Sequence, residues 1–406
     1  MLKVKNSIFL LITVFLCFIS KAEMVIRDSE VESVLKESLN PIIRAAGIGK
    51  INFILIQSDE INAFTGGGNE IYIYTGLISQ FHNADVVKGV VAHELGHIKG
   101  HHAARQYENI SNQSKAALAG VAVGLAGALV SSNPGALMAG TLGGVDMAEK
   151  NILKYSRTFE SSADQAAYRL LEQSCNSTYG LKIFFEYLIK QHSSVENPYL
   201  MTHPLSSERL DNLNNFLASS KFKTSTTQPS VQRKFERISF KVKAFTTGNP
   251  ESLLNEISSI KNHDIEEYVK AICYMRMGNL QKAISSIDSL LSKYPNDPYY
   301  NELKGQILFE FGKKEALHYF TEAVRLVPSD TLMKLSAAVV ALNVHRNNTN
   351  ELTKFIPYLK HAEQEEPESL IPIYYLSLYY EALGKTPLSQ VYLAIYYHKQ
   401  GMTKQA

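Results

Sequence analysis

His93-Glu94-Leu95-Gly96-His97 places two imidazoles one helical turn apart with a carboxylate between them. On a helix, residues i and i+4 share a face, so His93 and His97 can converge on one ion at about 2.0–2.1 Å per bond if that ion is zinc. A catalytic zinc keeps a fourth position for water, whose pKa falls from about 15.7 to about 7. Glu94 stands beside that position as the base. Upstream, Asn83-Ala84-Asp85 offers a helix N-cap. Val86, Val87, Val90, Val91, Leu95 and Ile98 then recur at helical spacing, so the histidines are predicted to ride on a largely buried amphipathic helix. Burying two histidines and a glutamate there without a purpose would be costly.

A third ligand must come from another element, and Ser156-Arg157-Thr158-Phe159-Glu160-Ser161-Ser162-Ala163-Asp164 supplies one. Glu160 and Asp164 fall at i and i+4 on a second predicted helix. Glu160 is then the ligand, and Asp164 accepts the outer N–H of a ligand histidine, fixing its tautomer. His101 and His102 follow the motif directly, yet the first lies about 6 Å further along the axis than His97. Both are read as structural contacts with a helix end or a carboxylate.

These residues resemble the M48 family of zinc metallopeptidases. Two further segments share the resemblance: Asn62-Ala63-Phe64 with a glycine cluster and Ile71-Tyr72-Ile73-Tyr74-Thr75-Gly76-Leu77, and Thr202-His203-Pro204-Leu205-Ser206-Ser207-Glu208-Arg209. It extends over about residues 27–215. It implies a gluzincin-like domain with one zinc ion at His93, His97 and Glu160, and Glu94 as base. The family usually has a proline before its glycine pair, whereas this chain reads Thr65-Gly66-Gly67-Gly68-Asn69. His203 is placed by the resemblance near the zinc, as an oxyanion stabiliser or as a ligand that shuts the open position, against the plain reading of a packing residue. Arg209 either pairs with a carboxylate or is simply solvated. The substrate backbone is expected to add as a strand along the Ile71–Tyr74 segment.

At 406 residues the chain has room for two or three domains, and its 45% hydrophobic and 20% charged residues are ordinary for a globular protein. A net charge of +2 without a basic cluster argues against nucleic acid as partner. Lys3 and Lys5 precede an apolar stretch from Ile8 to Ile19 and then Ser20-Lys21-Ala22, which reads as a signal peptide over 1–22, a retained anchor being the alternative. Beyond it lie Cys175 and Cys273, in separate predicted domains, so no disulfide is expected. The peptidase domain is assigned to 23–220, a polar linker to 221–230 and a helical region to 231–406.

Within that last region Ala283, Ile287, Leu290 and Pro295 recur 33 residues on as Ala316, Phe320, Ala323 and Pro328. This is close to the tetratricopeptide (TPR) period of about 34. Ala362 and Pro367 suggest a third copy, with the surplus in His345-Arg346-Asn347-Asn348-Thr349-Asn350. The fold class is therefore mainly α with a small β-sheet, ending in an α-helical TPR solenoid or, failing that, a generic bundle. Residues 116–145 carry no charge. They read as a loop-helix segment over the site, with lipid contact left open.

A leader before a soluble peptidase favours the periplasmic branch of the family. Two functions stay live. One is an endopeptidase clearing misfolded or stalled envelope proteins, with the repeats recruiting clients or the outer-membrane assembly machinery. The other is a chaperone or scaffold whose metal site is mostly closed.

Overall fold

The computed structural model describes residues 14–15, 25–66, 68–108, 111, 157–191, 198–257, 260 and 262–402. The stretch 116–145 and the segment 1–22 assigned above as a signal peptide, apart from a two-residue strand Val14–Phe15, lie outside the described residues. The architecture is mainly α-helical with a small sheet. Two compact units divide the chain, one of residues 34–239 and one of residues 1–33 with 240–406.

In the 34–239 unit, Glu70–Tyr74 pairs in parallel with Asn52–Ile56 and antiparallel with Ala63–Phe64. Alternation does the expected work: Ile71 and Ile73 are fully buried, while on the other face Tyr72 stacks on Phe64 with centroids 4.8 Å apart. Both sides of Glu70–Tyr74 are thus occupied. The expectation that a substrate adds directly to Ile71–Tyr74 is corrected, because the outer strand there is Ala63–Phe64.

The motif helix runs Ala84–Lys99. Asn83 caps it, its side chain accepting from the Asp85 N–H at 2.9 Å, and everything from Ala84 to Gly96 except Asp85 is buried. Two glycines set how closely its neighbours approach. A Cβ on Gly89 would lie 2.7 Å from the Leu181 backbone nitrogen, in the helix Tyr179–Gln191, and one on Gly96 would lie 2.6 Å from the Ala163 carbonyl oxygen, in a helix over residues 157–173. Only a residue without a side chain lets these backbones meet at that spacing.

Within the segment 221–230 assigned as a polar linker, one side chain is buried. Thr227 is buried, its hydroxyl donating to Asp85 and accepting from Lys88 Nζ at 2.7 Å, and the helix Pro229–Thr246 begins inside the segment. The boundary between the compact units falls within that helix, at Ser239.

In the other unit, helices pair in sequence: His263–Arg276 with Leu280–Lys293, Pro298–Glu310 with Ala316–Leu326, Thr331–Val344 with Ile356–Glu365, and Leu370–Ala382 with Thr386–Lys399. Gly278, Gly312 and Gly384 turn three of these pairs with φ of +76°, +68° and +70°. Every recurring apolar position (Ala283, Ile287, Leu290, Ala316, Phe320, Ala323, Ala362) is buried. Tyr375 and Tyr379 are also core, whereas Tyr374 is exposed. The strand Val25–Arg27 and its neighbours also belong here: Arg27 pairs with Glu366 at 2.7 Å, and Lys241 with Asp28 at 2.8 Å and Glu30 at 3.0 Å.

Gly96→Ala should lower unfolding free energy by about 1–3 kcal/mol in urea titration, because the added methyl overpacks a helix contact. The same variant should bind zinc more weakly, since the helix it displaces carries Glu160.

Candidate metal centre

The motif helix presents His93 and His97, and the 157–173 helix brings Glu160 against them. His93 Nε2 lies 3.0 Å from His97 Nε2 and 3.2 Å from Glu160 Oε2, and His97 Nε2 lies 3.3 Å from Glu160 Oε1. His203 joins them from the chain after the short helix Pro198–Thr202. Its Nδ1 lies 3.1 Å from Glu160 Oε1 and 3.4 Å from His93 Nε2. A tetrahedron with bonds of about 2.0–2.1 Å has edges of about 3.3 Å. These donor separations fall on that value. All four residues are buried or nearly so, with one ligand atom from each within 4.8 Å of the others. Two or three imidazoles with a carboxylate suit zinc.

Glu94 supports the same fit. Both of its oxygens are buried without a hydrogen-bond partner, and His203 Nε2 stands 3.6 Å from Oε1. A carboxylate left so costs several kcal/mol unless a cation or water answers it, or unless it takes a proton. Burial raises its pKa accordingly.

Asp164 holds the arrangement from outside. His93 Nδ1–H donates to Asp164 Oδ1 at 2.9 Å, which turns Nε2 of the same ring toward the centre. Arg209, on the helix Ser207–Ser219, forks onto Asp164 with Nε at 2.6 Å from Oδ2 and Nη2 at 2.9 Å from Oδ1. Its Nη1 meets Glu160 Oε2 at 3.0 Å and the Pro204 carbonyl at 2.8 Å. The arginine is buried, and it ties the His203 loop to both acids.

Proton affinities follow from this charge pattern. Burial alone would lower His93, but the bonds to Asp164 and Glu160 outweigh it and push the ring up to about 10. His97, buried beside that charge, falls to about 4. Glu160 and Asp164 sit below the usual carboxylate range despite burial, held there by the hydrogen bonds they accept. The two acids of the centre are therefore held ionised.

Sequence reading missed one member. His102 is buried, and its Nδ1 lies 3.0 Å from His97 Nδ1, so its partner is an imidazole instead of a carboxylate or a helix end. The chain's φ of +52° at His101 carried no sequence signal.

Residues 27–217 match the model of peptidase family M48. Among relatives, the beta-barrel assembly-enhancing protease of Escherichia coli (strain K12) is 26% identical over 278 residues, covering 65% of this chain and 54% of that protein. Metalloprotease YcaL of the same organism is 32% identical over 173 residues, covering 42% of this chain and 64% of that protein. Metalloprotease LoiP, also of that organism, is 28% identical over 195 residues, with 48% and 73% covered. The chain thus spans about half the length of the first of these relatives.

Asp164→Asn should weaken zinc binding about 10–100-fold in a chelator competition, the range seen when a ligand histidine loses its outer partner. Arg209→Lys should weaken it in the same direction, because an ammonium cannot reproduce the fork onto Asp164.

Proposed function

We propose that the protein is a zinc metalloendopeptidase of the bacterial periplasm that cleaves misfolded or stalled envelope proteins. The observation carrying this reading is the buried, unpartnered carboxylate of Glu94 beside the donor set of His93, His97 and Glu160. Zinc held by His93, His97 and Glu160 would supply Lewis acidity beside Glu94. Glu94 is the group placed to accept the proton of an attacking water and to return it to the leaving amine. Its raised pKa suits a group that must both accept and give. Glu160 and His93 keep the charge of the centre balanced, and Asp164 with Arg209 keeps them in place.

The envelope setting rests on the relative named for beta-barrel assembly and on the leader-like 1–22. Among the described residues no helix is long and apolar enough to cross a membrane. The paired helices with glycine turns and the 33-residue recurrence support TPR-type repeats, and we assign them client or assembly-machinery binding. The domain scheme of 1–22, 23–220, 221–230 and 231–406 becomes, on this reading, a leader, a peptidase whose docked tail reaches Ser239, and a repeat unit.

His203 favours a second layer to this reading. Its Nδ1 lies among the donor atoms, where a fourth protein ligand fills the position a water needs. We assign it the role of a latch, and a protein resting latched is free to act as a scaffold.

Glu94→Gln should keep one zinc per chain by metal analysis yet lose casein cleavage, and retained cleavage removes Glu94 from the mechanism. His203→Ala should raise casein cleavage several-fold, whereas an oxyanion role would lower it.

A further inference from the structure

His102 lies five residues beyond His97, and on an unbroken helix those two side chains point about 140° apart. They nevertheless touch, Nδ1 to Nδ1 at 3.0 Å. Three local features bring this about. The motif helix stops at Lys99, and a new helix begins at residue 102. Between them His101 takes φ of +52°, a left-handed conformation that costs a non-glycine residue about 1–2 kcal/mol. Gly100 leaves the space: a Cβ there would fall 2.2 Å from His102 Nε2 and 2.5 Å from its Cδ2. The returned ring is buried and stacks on Phe159, centroids 4.6 Å apart at 16°, next to the ligand Glu160. Strain, a side-chain-free residue and a buried polar ring are spent on one contact with a metal ligand.

We propose that His102 is a positioning residue that accepts the Nδ1–H of His97 and so presents the Nε2 lone pair of His97 to the zinc. The inference rests on the zinc reading above. It gives the two ligand histidines different supports: His93 leans on an anionic carboxylate, and His97 on a neutral ring. Of two nitrogens facing each other at this distance, one must donate and the other accept. With Nε2 of His97 turned to the donor cluster, its proton belongs on Nδ1, and His102 must offer a lone pair.

Two substitutions separate this role from packing. His102→Phe keeps a ring to stack on Phe159 but removes the acceptor. His102→Asn places a carbonyl oxygen where Nδ1 was and gives up the stack. Zinc affinity of the full chain is measured by competition with a chromogenic chelator, and melting temperature is recorded on the metal-free proteins. The expected result is a fall of about 10–100-fold in zinc affinity for His102→Phe, with His102→Asn near wild type. Gly100→Ala, which displaces the ring, should fall with His102→Phe. Unchanged affinity in His102→Phe overturns the proposal. So does loss in His102→Asn with retention in His102→Phe, or equal loss in both alongside a lowered metal-free melting temperature, since each marks a packing role. Failure of the wild-type chain to bind zinc would instead overturn the metalloprotease reading, and this inference with it.

Discussion

Asp164 is the group on which the centre depends. One of its oxygens accepts the Nδ1–H of His93 while both accept from the guanidinium of Arg209, so a single carboxylate joins the motif helix, the 157–173 helix and the helix Ser207–Ser219. Its burial makes the bonds obligatory, because an ionised carboxylate in that position has no water to fall back on. Arg209 extends the tie to Glu160 and to the Pro204 carbonyl, which fixes the loop carrying His203. Ligand geometry is therefore set less by the ligands than by this outer pair of opposite charges.

Much of the centre was legible because helical periodicity turns sequence spacing into angle. His93 and His97, and likewise Glu160 and Asp164, needed only the i, i+4 rule, and Asn83 announced the helix start. The meeting of the two helices was legible through a family resemblance and not through spacing, since no local rule says that Ala163 approaches Gly96. His102 was not legible, because the chain leaves the helix at Gly100 and His101, where a turn undoes the angular arithmetic. Arg209 was ambiguous for a different reason: the pattern gives its place on a helix, while its burial depends on residues 45 positions away in sequence.

The sheet and the repeats divide in the same way. The family resemblance implied a strand at Ile71–Tyr74, yet not that Ala63–Phe64 would take its outer side. The 33-residue recurrence foretold which apolar positions are core, and glycines with positive φ sit in the turns. The polar composition of 221–230 pointed to a linker, and did not show that Thr227 would be buried with Asp85 and Lys88 as partners. Composition reports average solvation, and one buried threonine is enough to dock such a segment.

The ion pair of Arg27 with Glu366 spans 339 positions of sequence. Synthesis delivers the arginine long before its carboxylate. Closing so long a loop is entropically slow, and the 34–239 unit lies wholly within it. The pair can therefore close only after the chain between its two residues has been made.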